Sequence, residues 1–205
     1  MILPNPAILV ITDRRQARVP LETIAAGLFA GGCRWLSLRE KDMPSAERRD
    51  LLRCLKTLGD AYGASVMVHD DLAAAADTGA AGIHLPAGAS VREARRVLGT
   101  EVLIGQSAHN QDDVRRAAGE GAGYVTLSPI FLTDSKPGYG PALGLDALRV
   151  PSPSPVLALG GVGISNAADC IAAGAAGIAV MGEAMRALDP QAFMVGLRQR
   201  LAAAG

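Results

Sequence analysis

The residues of this chain best equipped for chemistry come in short polar groups, each placed where an apolar run ends. Leu38 is followed by Arg39-Glu40-Lys41, Val68 by His69-Asp70-Asp71, and Gly105 by Gln106-Ser107-Ala108-His109. Ser128-Pro129-Ile130-Phe131 runs on into Leu132-Thr133-Asp134-Ser135-Lys136. A planar guanidinium at Arg39 beside the point charge of Lys41 suits a diphosphate better than a single phosphate, and Glu40 and His69 are counted with them as substrate-contacting candidates. Thr133, Ser135 and Lys136 offer two hydroxyls and an ammonium to phosphate oxygens, and the Gly/Pro run after them suits a flap over a ligand. Leu159-Gly160-Gly161-Val162-Gly163 lets backbone come close to a ligand and then opens a helix at Ser165-Asn166, an arrangement that cradles phosphate, with Met181-Gly182 completing it. Asp70, with or without Asp71, has the chemistry of a Mg²⁺ ligand, while one of the two aspartates is expected to cap the helix at Leu72. His109 is the better acid–base candidate near neutral pH; His84 lies within a strand and reads as a barrel-lining histidine.

These groups need a scaffold that gathers them. The apolar runs are continuous and rich in Val, Ile and Leu, which is the pattern of parallel strands buried on both faces. Strands are predicted near Ile8–Thr12, Trp35–Leu38, Ser65–Val68, Gly82–Leu85, Val102–Gly105, Tyr124–Ser128, Val156–Leu159 and Gly177–Met181. Helices are predicted over Pro20–Ala30, Ala46–Tyr62, Leu72–Thr78, Val91–Leu98, Gln111–Gly119, Leu145–Leu148, Asn166–Ala173 and Pro190–Ala203. Strict βα alternation of this kind predicts one domain over residues 1–205, a (β/α)₈ TIM barrel whose sites lie at the C-terminal ends of its strands. Small-residue corners precede every second strand, at Ala30-Gly31-Gly32-Cys33, Gly79-Ala80-Ala81-Gly82, Gly121-Ala122-Gly123 and Gly174-Ala175-Ala176-Gly177. Each is where a helix must stop at positive φ and turn into a strand, which points to a βαβα unit used four times.

Composition sets bounds on function. Hydrophobic residues make up 49% and aromatics 3% of the chain, so the core is aliphatic. Twenty basic residues balance twenty acidic ones, which argues against a nucleic-acid or anionic-membrane surface. Cys33, Cys54 and Cys170 are scattered without metal-type spacing and fit a reducing compartment. The N-terminal Met1-Ile2-Leu3-Pro4-Asn5-Pro6 has no basic region and two early prolines, a poor signal peptide. The expectation is a cytoplasmic protein, with homo-oligomer formation compatible with the sequence.

Taken in order, Leu38-Arg39-Glu40-Lys41, His69-Asp70, Gly82-Ile83-His84-Leu85, Gly105-Gln106-Ser107-Ala108-His109, Pro129 to Lys136, Gly160-Gly161 and Gly177-Ile178-Ala179-Val180 resemble the thiamine phosphate synthase family and its related thiazole tautomerase branch, from Ile8 to about Ala184. The resemblance implies an enzyme that joins an aminopyrimidine diphosphate to a thiazole phosphate and expels pyrophosphate. It implies that Arg39, Lys41, Ser107 and Lys136 hold the diphosphate, that Asp70 binds Mg²⁺, and that Thr133, Ser135, Gly161 and Met181-Gly182 hold the thiazole phosphate. His109, Ser107 and Lys136 are the catalytic candidates.

The chain departs from that pattern at four positions. Ser37 stands where synthases carry Gln, His69 where they carry Asn, Gly182 where a Ser is usual, and Ala89 where a second Mg²⁺-binding Asp is expected. The Ala89 departure bears directly on the metal, and Leu85-Pro86 looks like the tautomerase branch, whose proton shuttle would be His109. A non-catalytic phosphate sensor on the same barrel is a reading of a different class. A phosphosugar isomerase would need an acid–base pair across the mouth that the sequence does not supply.

Overall fold

The computed structural model describes residues 3–132 and 141–203. Eight parallel strands close into a barrel in sequence order, with β8 pairing back onto β1. The strands are β1 Ile8–Ile11, β2 Trp35–Leu38, β3 Ser65–His69, β4 Gly82–Leu85, β5 Leu103–Ala108, β6 Tyr124–Leu127, β7 Val156–Ala158 and β8 Gly177–Val180. The helices are α1 Leu21–Ala30, α2 Ser45–Asp60, α3 Leu72–Thr78, α4 Val91–Leu98, α5 Gln111–Gly119, α6 Ala167–Ala172, α7 Gly182–Arg186 and α8 Pro190–Ala202, with a 3₁₀ turn at Leu145–Arg149 after β6.

Two cores follow from the strand period of two. Ile8, Val10, Leu36, Leu38, Val66, Val68, Ile83, Ile104, Val125, Ile178 and Val180 face outward and pack under the helices. Leu9, Ile11, Trp35, Met67, Leu103, Tyr124, Leu157 and Ala179 face into the barrel. Here Trp35 and Tyr124 meet edge to face at 4.7 Å, and the Trp35 indole N–H donates to Met67 Sδ at 2.9 Å. This aromatic floor has room because Gly105 pairs with Tyr124 across the β5–β6 ladder; a Cβ at 105 would fall on the tyrosine ring.

The four small-residue corners behave as the sequence implies: Gly32, Gly79, Gly121 and Gly174 all have positive φ. Gly79 is a left-handed C-cap that stops α3 before β4. Three details differ from expectation. β5 runs to Ala108 instead of stopping at Gly105, because the buried Gln106 side chain anchors the strand end by donating to the Pro86 and Ala89 carbonyls at 3.1 and 2.6 Å. Helix α7 went unforeseen, since five residues starting from glycine carry no periodic signal. Helix α6 is only six residues long, so the glycine loop before it is not backed by the extended helix dipole that its sequence suggested.

Candidate active site

Polar residues occupy the inward positions directly above the aromatic floor. Ser37, His69, His84, Ser107 and Thr126 each lie further along their strands than Trp35, Met67 or Tyr124, toward the C-terminal rim. Ser37 Oγ bonds His69 Nδ1 at 2.8 Å, and the His69 and His84 rings stack at 4.4 Å. His84 bonds Tyr124 Oη through Nδ1 and Ser107 Oγ through Nε2, both at 2.9 Å. Burial, reinforced by the charges of Arg39 and Lys41, pushes the His84 imidazole down to about 3. The ring is therefore neutral and carries one N–H, so Tyr124 and Ser107 meet it as one donor and one acceptor. This fixes the Ser107 hydroxyl from behind.

Above this layer opens a cavity of about 430 Å³ whose walls include Arg39, Lys41, His69, Asp70, Ser107 and His109 on one side and Gly160, Gly161, Met181 and Gly182 on the other. Residues taken from five separate strand ends thus share one mouth. Arg39 and Lys41 form no ion pair with any described carboxylate. Their neighbours behind the rim behave differently: Arg14 pairs with Glu40 at 3.1 Å and Asp42 at 2.7 Å, and Arg48 pairs with Asp71. Cations left without counter-ions in a concave site are groups awaiting an anion.

Glu40 needs correction as a substrate contact. It is buried, accepts from Thr12 Oγ1 at 2.7 Å and from the Arg14 backbone and side chain, and does not line the cavity. Because Thr12 Oγ1 also accepts from the Arg39 amide at 2.8 Å, Glu40 braces the turn that carries Arg39.

The two aspartates divide their roles. Asp71 caps α3, accepting from the Ala74 amide at 2.8 Å. Its burial raises the carboxyl, but the Ala74 amide and the Arg48 guanidinium outweigh that and hold it below the ordinary carboxylate range. Asp70 is exposed on the cavity wall in the left-handed region at φ 51°, unusual outside glycine though best tolerated by Asp and Asn. Its amide donates to the His84 carbonyl at 3.0 Å, which ties the turn to the barrel.

His109 donates from Nδ1 to the Ser128 carbonyl at 2.9 Å, which assigns the proton of the neutral ring to Nδ1 and leaves Nε2 as its basic nitrogen. The glycine loop is shaped by its protein neighbours as well as by the cavity. Gly160 and Gly161 have φ of 91° and 65°, and a Cβ on either would come within 2.7 Å of Pro129 or 2.6 Å of the Leu132 carbonyl. The Phe131 amide donates to the Gly160 carbonyl at 2.9 Å, so the β6 and β7 loops are laced together under the mouth. Thr133, Ser135 and Lys136 lie outside the described residues, whose last member before them, Leu132, is on the cavity wall.

A family profile described as thiamine monophosphate synthase matches residues 8–184. The chain belongs to that family. A thiamine-phosphate synthase of Moorella thermoacetica is 36% identical to this family member over 146 residues, 69% of this chain and 68% of its own length. One from Methanoculleus marisnigri is 40% identical over 142 residues, 68% of this chain and 67% of its own. Thiamine phosphate pyrophosphorylase from Pyrococcus furiosus superposes with a TM-score of 0.87 at 27% identity, covering 96% of both chains. These relatives carry synthase names, so the tautomerase and the non-catalytic sensor are not favoured.

Sequence reasoning did not single out Tyr124, Thr126, Glu183 or Arg186, the last two of which line the cavity of this synthase-family barrel. The first two were legible in principle. They continue the inward register that runs Trp35, Ser37, Arg39 on β2 and Gly105, Ser107, His109 on β5, alternate residues that climb from floor to rim. No helix among the described residues is long and apolar enough to cross a membrane.

Proposed function

We propose that this protein is a transferase of thiamine biosynthesis that joins an aminopyrimidine diphosphate to a thiazole phosphate and releases pyrophosphate. The observation that carries the reading is the pair of cations, Arg39 and Lys41, without a carboxylate partner among the described residues, on the same cavity wall as Ser107 and facing a glycine-built wall. A diphosphate on the first wall and a monophosphate on the second would leave the two heterocycles side by side over the polar layer.

In the reaction the bond between the pyrimidine methylene carbon and the diphosphate oxygen breaks, and the oxygen keeps the electron pair. The electron-rich pyrimidine bears the resulting positive charge until the thiazole nitrogen lone pair forms the new C–N bond. Arg39 and Lys41 stabilise the charge that builds on departing pyrophosphate, in a site already organised for it. Ser107, held by His84, donates to the same group. His109, when protonated on both ring nitrogens, is the acid that delivers the Nε2 proton to the leaving oxygens, and Lys136, Thr133 and Ser135 are assigned to the phosphates. His69 and the glycines Gly160, Gly161 and Gly182 contact the substrates from the sides.

Mg²⁺ fits in a restricted way. Among the described residues no three His, Cys, Asp or Glu side chains gather into a metal site, and Ala89 supplies only a carbonyl already engaged by Gln106. Asp70 alone would hold the ion together with the diphosphate, a mode Mg²⁺ accepts because it retains water and substrate oxygens in its shell. When bound, the ion would neutralise pyrophosphate charge. The test is pyrophosphate release from purified protein given both substrates and Mg²⁺. Asp70→Asn should raise the Mg²⁺ concentration for half-maximal rate by about tenfold, equivalent to about 1.4 kcal/mol. Metal-free isomerisation of a thiazole phosphate, abolished by His109→Ala, with no pyrophosphate release, would replace the synthase reading by the tautomerase.

A further inference from the structure

The wall built from the β7 and β8 loops carries a cation that neither the motifs nor the comparisons assign. Arg186 ends α7 and turns its guanidinium back over Gly182 onto the cavity wall. The glycine makes this arrangement possible. A Cβ at 182 would lie 2.6 Å from Arg186 Nη1 and 2.8 Å from Gln16 Oε1, so a side chain at 182 and the Arg186 guanidinium compete for one volume.

The guanidinium is positioned without being neutralised. Arg186 Nη1 donates to Gln16 Oε1, and Gln16 is itself fixed by donating from Nε2 to Asp13 Oδ2 at 2.7 Å. A carboxamide is a neutral acceptor, so the contact orients the arginine and leaves its charge intact. Glu183, one turn earlier, sends its carboxylate to the Ile164 amide at 3.1 Å instead, and no ion pair with Arg186 forms. On the same wall the amides of Gly161 and Val162 donate to no protein acceptor among the described residues. Planar N–H donors lining the same cavity as amides that have no described acceptor can together receive a tetrahedral oxyanion.

We infer that Arg186 binds the phosphate of the second substrate, with Gly182 providing its space and Gln16 its orientation. This rests on the synthase reading for the identity of the phosphate ester but not for the existence of the anion site. Arg186 then sets specificity: it makes the protein prefer a phosphorylated thiazole over the free alcohol.

Calorimetric titration of the full chain with thiazole phosphate, the unphosphorylated thiazole alcohol and inorganic phosphate tests it, alongside steady-state kinetics with both substrates. Arg186→Ala should weaken thiazole phosphate binding about tenfold or more while leaving the alcohol unchanged, with KM for the thiazole phosphate rising in step and KM for the pyrimidine diphosphate constant. Arg186→Lys should recover part of the loss. Gly182→Ala, whose methyl displaces the guanidinium, should reproduce the defect, and the double variant should be no worse than either single one. Thiazole phosphate binding by Arg186→Ala within about twofold of the parent overturns the inference, as does equal weakening of phosphate and alcohol. If the parent binds phosphate through Arg186 yet releases no pyrophosphate with both substrates, the reaction assignment falls and the anion site stands. If Arg186→Ala releases pyrophosphate with an unchanged KM for the thiazole phosphate, the reverse holds. Failure of the parent to bind the phosphate at all removes both.

Discussion

The two walls of the cavity hold anions by different means. On the β2–β3 side the binding groups are long side chains, Arg39 and Lys41, carried on turns that are braced from behind by Glu40, Arg14 and Arg48. On the β7–β8 side the wall is mostly backbone, shaped by glycines that the neighbouring Pro129–Leu132 segment presses against, with Arg186 as its cation. The first wall concentrates charge and suits a ligand with two phosphates; the second supplies directional amides with one charge and suits a single phosphate. The lesson is that bracing, and not the cations alone, distinguishes a binding wall from an ordinary charged surface. Arg14 and Arg48 carry the same charge as Arg39, but their carboxylate partners turn them into struts.

The contrast can be broken most severely at Arg39. Arg39→Ala should lower kcat/KM by about 10²–10³-fold, the loss usual for removing one preorganised donor at a developing negative charge, and should leave KM for the thiazole phosphate nearly unaltered. Equal damage to both substrates' KM values would mean that the walls are not separate. Steady-state kinetics with each substrate varied in turn decides this.

The next test concerns the polar layer that both walls share. The imidazole of His84 falls from an ordinary 6.5 to about 3 in the folded protein, chiefly through burial. Between those values the unfolded chain binds a proton that the folded one refuses, so stability must fall as pH drops from 6.5 toward 3 and is unaffected by this group above 6.5. The slope approaches about 1.4 kcal/mol per pH unit at most. Denaturant melts between pH 7 and pH 5 should show a steeper loss in the parent than in His84→Gln; parallel curves would mean that the histidine is not held neutral.

The smallest effect is expected at Glu183. Its carboxylate occupies the Ile164 amide on the wall assigned to phosphate. Glu183→Gln removes a rim charge, worth up to about 1 kcal/mol, and should tighten thiazole phosphate binding by about threefold with no change for the pyrimidine diphosphate. Calorimetry on the two ligands checks this, and unchanged thiazole phosphate binding would show that the carboxylate does not oppose the anion.

Much of the scaffold was legible in the sequence, because the alternation of apolar runs with Ala/Leu/Arg-rich stretches and four glycine corners leaves few other architectures. Arg39, Lys41, Asp70, Ser107 and His109 were legible for the same reason: each follows a strand, and parallel strands in a barrel deliver their ends to one rim. Glu40 misled because a carboxylate between two cations looks like part of the site, whereas its orientation depends on Thr12 and Arg14 from a different strand end. Arg186 was hidden for a related reason. Its placement depends on the absence of a side chain at Gly182 and on Gln16 from the far end of the chain, relations that no local pattern encodes. Tyr124 and Thr126 were missed because strands apolar on both faces do not announce their inward register, which shows only when alternate residues are counted back from the polar rim.

The Trp35–Tyr124 contact has one more consequence. Two fully buried rings fill the barrel beneath the polar layer, so water is expected to meet the reacting carbon through the opening by which the substrates arrive. Wasteful hydrolysis of the pyrimidine diphosphate therefore becomes a gauge of how well the second substrate covers that opening. It should run fastest when the thiazole is withheld and fade as the thiazole saturates.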